Sequence, residues 1–130
     1  LRIAPASPGK AARLRTCLNG NVRTVYMNLE EANLIVNQNF NESCSAAIAL
    51  LNAGFKRAVV TNGGNKVTVA EKDSQITITP PNVDVVRVTG AGDVFMASHI
   101  QAELIGKQKE TAINFALNQT AKYISGSEKL

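Results

Sequence analysis

Short apolar runs and stretches of helical period alternate along the chain. Arg2–Pro5 reads as a short strand ended by Pro5 and Pro8, and Lys10–Leu18 as a helix whose end suits Gly20. Val22–Tyr26 is a second apolar strand. Asn28 can then cap a helix whose apolar positions are Leu29, Ala32, Ile35 and Val36. A further helix carries Cys44, Ala47, Ile48 and Leu51 at i, i+3, i+4 and i+7, and Gly54 stops it.

Ala58–Thr61 is a strand of the buried type. Val67–Val69 and Ile76–Ile78 alternate with polar residues around Lys72-Asp73-Ser74, which predicts a hairpin, an edge of the sheet rather than a lid. A long helix runs from Gly92 to about Ile105 and breaks at Gly106. A last helix uses Ile113, Ala116, Leu117, Ala121 and Ile124. This order predicts an α/β fold with a largely parallel sheet and an antiparallel hairpin at one edge.

Composition narrows the class. The chain has 130 residues, 45% apolar and 18% charged, which fits one modest globular domain and excludes disorder. With no Trp and 5% aromatics, the core is expected to be aliphatic. No apolar run reaches the roughly 18–20 residues of a membrane span, and Leu1 to Pro8 do not read as a signal peptide. Cys17 and Cys44 lie outside any CxxC or Cys/His cluster, which argues against structural zinc and for reduced thiols in the cytoplasm. The net charge of +4 comes from scattered Lys and Arg with few aromatics among them, a poor pattern for nucleic acid.

The sharpest motif is Val88-Thr89-Gly90-Ala91-Gly92-Asp93, where a loop opens a helix. Small residues there let backbone N–H groups converge at a helix N-terminus, where unpaired amides and the macrodipole favour an anion such as phosphate. Asp93 in the first turn is poised to accept a proton from a hydroxyl. A purely structural account is equally open: the glycines make a tight turn and Asp93 favours the helix start. The dinucleotide fingerprint fails, because the position of its third glycine is Phe95, and no GxxxxGK[ST] loop is present.

The run Thr89-Gly90-Ala91-Gly92-Asp93-Val94-Phe95 resembles the D-[TV]-T-G-A-G-D-x-F signature of ribokinase-type (PfkB) carbohydrate kinases. Val88 at the second position looks most like the pseudouridine kinase branch. Asn28-Leu29-Glu30-Glu31 matches the family's N-x-x-E, and Val59-Val60-Thr61-Asn62-Gly63 resembles its V-V-T-x-G strand end. Ala112–Ile124 resembles its closing alanine-rich helix.

The resemblance implies a ribokinase-like three-layer α/β/α fold, incomplete, with residues 1–130 forming the C-terminal nucleotide-binding and catalytic part. It implies ATP and Mg2+ as cofactors and transfer to a primary hydroxyl of a sugar or nucleoside, pseudouridine being favoured. Asp93 would be the catalytic base, and the amides of Gly90, Ala91 and Gly92 the anion hole. Asn28 and Glu31 would organise magnesium and the phosphates, Thr61 and Gly63 would lie near the nucleotide, and Leu117 and Asn118 would border the adenine. Plainer accounts compete: Asn28 with Glu31 also makes a helix capping box, and His99 reads as an ordinary helical residue.

Three departures from the family pattern stand out. The aspartate that opens the signature, part of a monovalent-cation site in the family, is Arg87 here, which puts a potassium requirement in doubt. Lys66 stands where a glycine is common, and Ala4 where an acidic residue often precedes proline. The family's N-terminal half, with most sugar-binding residues, has no counterpart. The fragment is therefore expected to expose a sheet edge near Arg2–Pro5, completed by that half or by self-association. Alternatives to the kinase are a degenerate, inactive member that keeps the fold and a basic α/β interaction domain.

Overall fold

Asn28 turns the chain from strand into helix, its side chain capping the helix that follows. A computed structural model describes residues 2–3 and 24–126. The expected helix Lys10–Leu18, Gly20, Cys17 and the strand beyond Ile3 lie outside the described residues. Strands β1 (Arg2–Ile3) and β2 (Thr24–Asn28) are followed by helices α1 (Leu29–Val36) and α2 (Ser43–Asn52). Then come β3 (Arg57–Asn62), β4 (Asn65–Glu71), β5 (Ser74–Ile78), α3 (Ala91–Leu104) and α4 (Lys109–Ser125). No helix among the described residues is long and apolar enough to cross a membrane. Contacts divide the chain into two compact units, Leu1–Thr77 and Ile78–Leu130.

In the first unit the sheet order is β1-β2-β3-β4-β5. β1, β2 and β3 are parallel, with Val25 beside Ala58 and Asn28 beside Thr61. β4 returns antiparallel to β3 through the two-residue turn Gly63–Gly64. Gly63 takes φ +57, a left-handed conformation that glycine adopts at little cost. The antiparallel part is thus larger than the expected edge hairpin: β3, β4 and β5 form a meander, with β5 at the edge as expected. At the other end β1 has β2 as its one neighbour among the described residues.

The core gathers Val25, Met27, Ile35, Leu50, Phe55 and Val60, with alanines 32, 46, 47, 58 and 70 between them. α2 is rotated relative to its apolar period. Ser43, Ala46, Ala47 and Leu50 are buried, whereas Cys44, Ile48 and Leu51 are half-buried at the flank. Small residues let the helix approach β3 and β4 closely, and its one polar inward group is paired. The Ser43 hydroxyl donates to the Lys66 carbonyl at 2.7 Å and lies 2.9 Å from the Thr68 hydroxyl, itself 2.9 Å from that of Thr77. This chain of hydroxyls explains why Thr68 is fully buried within β4, where alternation predicts an outward position.

In the second unit α3 packs against α4. Phe95, His99 and Ala102 are the buried side of α3; Ala112, Ile113, Ala116, Leu117 and Ala121 are that of α4. His99 belongs to the buried side of its helix. It is 1% exposed, stacks on Phe95 with ring centroids 5.9 Å apart, and has Nδ1 3.8 Å from Glu103 Oε1.

Candidate functional site

In the first unit, candidate residues collect at the carboxyl ends of the parallel strands, the usual ligand side of open α/β sheets. Asn28 closes β2 and caps α1, its side chain accepting from the Glu31 amide at 2.8 Å. Glu31 returns the bond, its Oε1 accepting from the Asn28 amide at 2.9 Å. The capping box weighed from the sequence is therefore present. Register sets Asn28 beside Thr61, and Gly63 follows two residues later at the head of the hairpin. Four of the expected residues are thus brought to one end of one sheet.

Burial pushes the Glu31 carboxyl above its ordinary range, the Asn28 amide pulls it back, and neighbouring Glu30 adds to the rise. A half-buried carboxyl of this kind holds its proton to higher pH than an exposed one. No group of three or more His, Cys, Asp or Glu that could hold a metal ion occurs among the described residues. The lone half-buried Glu31 carboxylate is the kind of single protein oxygen donor that a magnesium held mainly by phosphates and water takes.

Beyond the turn at Gly63 lies a polar cleft of about 470 Å³, whose lining includes Glu42, Ser43, Cys44, Asn62, Asn65 and Lys66. Lys66, at the position of a common family glycine, is thus one of the residues lining the cleft beside the hairpin. The register slips between Val60 and Asn62, which leaves Thr61 at an irregular point of the ladder.

In the second unit, Gly90 is the N-cap of α3 with φ +90, and no side chain caps this helix. The Ala91 amide donates to the Val88 carbonyl at 3.0 Å, closing the turn on itself. Of the three amides expected to form an anion hole, Ala91's is therefore occupied by the turn. Gly92 and Asp93, the second and third helical residues, have amides with no partner among the described residues. Among the described residues, the amides of this turn that have no backbone acceptor are those of Gly90, Gly92 and Asp93.

Gly92 is informative because nothing in the fold requires it. Its φ lies outside the left-handed region, and among the described residues no atom beyond its chain neighbours and its own helix backbone lies within 4 Å of where a Cβ would stand. The missing side chain keeps open space above the helix start. The exposed Asp93 carboxylate stands in the same first turn, beside the positive end of the helix.

Loop and helix end are tied together behind this turn. The Val86 and Arg87 amides both donate to the Ile124 carbonyl, at 2.6 and 3.0 Å. Arg87 Nε donates to the Tyr123 carbonyl at 2.6 Å, and its guanidinium carbon lies 4.3 Å from the Tyr123 ring centroid. The Tyr123 hydroxyl in turn donates to the Thr89 carbonyl at 2.7 Å. Tyr123 carries no sequence signal of its own, since its partner is 34 residues away.

On α4, Leu117 and Asn118 part company. Leu117 is buried at 5% exposure, so its side chain serves the packing of the unit. Asn118 is exposed and lines a shallow cleft with Pro81, Val83, Ala121, Lys122 and Ser125.

No curated protein sequence matches the chain. Solved structures do. A Clostridium perfringens protein described as a sugar kinase matches with TM-score 0.86 and 24% identity, over 98% of this chain and 41% of that one. Adenosine kinase from Trypanosoma brucei brucei gives 0.81 and 21%, over 95% and 42%. An Escherichia coli protein described as ribokinase II, solved with ATP and Mg2+, gives 0.75 and 22%, over 91% and 37%. These likenesses show the fold, which is ribokinase-like as expected, and the chain spans about two fifths of the length of the first two. The model of the pfkB family of carbohydrate kinases matches residues 2–126, and the chain, carrying that fold and the Thr89–Phe95 signature, belongs to this family.

Proposed function

We propose that this chain supplies the nucleotide-binding and catalytic part of a kinase that transfers the γ-phosphoryl group of ATP to a primary hydroxyl of a sugar or nucleoside. The observation that carries the reading is Gly92: a glycine without structural need, over two unpaired amides, beside an exposed carboxylate. The Asp93 carboxylate takes the proton of the acceptor hydroxyl as its oxygen attacks the γ-phosphorus. The bond to the bridging oxygen breaks and ADP leaves. The Gly90, Gly92 and Asp93 amides stabilise charge on the moving group through the dipole of α3. Asn28 and Glu31 orient the phosphate end of the nucleotide through water, Thr61 and Gly63 border it, and Asn118 faces the adenine from its cleft. Magnesium, carried on the nucleotide, neutralises phosphate charge.

Pseudouridine is the favoured acceptor, on the likeness of the Val88 variant of the signature. Arg87, positive where the family has a carboxylate, supports transfer without a monovalent cation. The same arginine favours a second reading, a member that holds nucleotide without transfer. Titration of a non-hydrolysable MgATP analogue into Gly92→Val and Asp93→Asn chains tests the site. The reading requires the first to weaken binding and the second to spare it. In the complete protein Asp93→Asn abolishes transfer, and substantial remaining turnover removes Asp93 as base.

A further inference from the structure

We infer that Tyr123 and Arg87 are positioning residues for the phosphate-binding turn, acting as a clasp from the end of α4 onto the loop that opens α3; this rests on the function proposed above. A trans peptide is planar, with its C=O and N–H pointing in opposite directions. The Tyr123 hydroxyl holds the Thr89 carbonyl at 2.7 Å, so it fixes the direction of the Gly90 N–H in the same peptide plane. That N–H points away from Tyr123. The hydroxyl also fills the space beside Gly90, 2.7 Å from where a Cβ would stand. The residue at 90 is thereby kept at φ +90, the conformation from which the Ala91 amide turns back to Val88 and those of Gly92 and Asp93 stay open.

Arg87 in turn fixes Tyr123. Its Nε bond to the Tyr123 carbonyl and its guanidinium over the ring hold both ends of that residue, while Val86 and Arg87 amides share the Ile124 carbonyl. The loop is thus closed by four hydrogen bonds and one cation–π contact onto one turn of α4. All of these contacts are made within the protein, between the loop and α4. They act through the orientation of the turn, so their loss changes affinity for the phosphate part of a nucleotide and not for its base.

The test uses the full chain and its Tyr123→Phe and Arg87→Ala variants. NMR measures the amide-exchange rate of Ala91 without ligand, and calorimetry measures affinity for a non-hydrolysable MgATP analogue and for adenosine. In Tyr123→Phe, exchange at Ala91 rises and the analogue binds about five- to tenfold more weakly, the worth of one lost hydrogen bond, with adenosine affinity unchanged. Arg87→Ala moves both in the same direction, and Arg87→Lys, which keeps a donor and a charge over the ring, recovers part of the loss. Unchanged exchange at Ala91, or equal weakening of analogue and adenosine, overturns the clasp as a positioning device. Absence of analogue binding to the unaltered chain instead overturns the nucleotide reading, and the positioning role falls with it.

Discussion

Replacing Gly90 by alanine puts a methyl group where two demands of the structure collide. The backbone at 90 has φ +90, outside the range that L side chains adopt comfortably, which costs about 1–2 kcal/mol. The new Cβ would also lie 2.7 Å from the Tyr123 hydroxyl oxygen and 3.4 Å from the ring carbon that bears it. No real contact is that short, so the ring moves and the hydroxyl leaves the Thr89 carbonyl, a loss of about 1 kcal/mol. The expected destabilisation is about 2–3 kcal/mol in total. Because the chain forms two units, a single melting temperature is a poor measure, and native-state exchange of the α3 and α4 amides is the assay that isolates the second unit. Tyr123→Phe removes the oxygen that is struck. Gly90→Ala made in that background should therefore cost about 1 kcal/mol less than in the unaltered chain, a coupling readable from the double-mutant cycle. A cost below about 0.5 kcal/mol, or the same cost in both backgrounds, refutes the geometry of the turn.

Gly92→Ala should stabilise α3 by up to about 1 kcal/mol, because alanine replaces glycine within a helix where nothing obstructs it, while weakening the MgATP analogue in the same calorimetric titration. Glu31→Gln keeps an acceptor for the Asn28 amide and removes the charge, so the capping geometry survives by NMR. The rise in the Glu31 carboxyl makes the folded state hold its proton to higher pH than the unfolded chain does. Its stabilising contribution is therefore present below the ordinary value of 4.5 and lost as pH rises through the folded value. Glu31→Gln should flatten that part of the stability–pH curve measured by denaturant unfolding of the first unit. Asn28→Ala, which removes the cap itself, should cost about 1 kcal/mol at any pH where Glu31 is charged or not. Ser43→Ala leaves the buried Thr68 hydroxyl with one partner fewer and should destabilise the first unit by about 1–2 kcal/mol in the same assay.

Much of this was legible because its causes are local. Asn28 and Glu31 cap each other across three residues, and the pairing of their types at that spacing is readable directly. The glycines around Ala91 mark a loop entering a helix for the same reason. The features that sequence reasoning missed are those decided across the fold. The α2 face turned inward is set by how closely Ala46 and Ala47 allow the sheet to approach, and not by where its bulkier apolar residues fall. Thr68 is buried because Ser43 and Thr77 stand at hydroxyl distance from it, from two other elements. Tyr123 holds a turn 34 residues earlier in the chain, and Leu117 and Asn118, adjacent in sequence, face opposite surroundings one position apart on a helix.

The two groups of candidate residues differ in how their structural and chemical roles can be separated. Asn28 and Glu31 bind each other, so most substitutions there disturb the cap and any ligand contact together, and lost binding alone does not say which was responsible. Only Glu31→Gln divides them, because it alters charge and leaves the acceptor. Around α3 the separation is cleaner, since the proposed recognition uses backbone amides that no substitution other than proline removes. What a substitution at 92 changes is the space above them. A residue kept for packing or turn geometry loses stability when replaced, and any loss of binding follows from that. A residue kept open for a phosphate does the reverse, gaining helix stability as alanine while losing affinity. Opposite signs at one position cannot come from a damaged fold, which makes Gly92 the place where this chain most directly reveals whether it was shaped to hold a nucleotide.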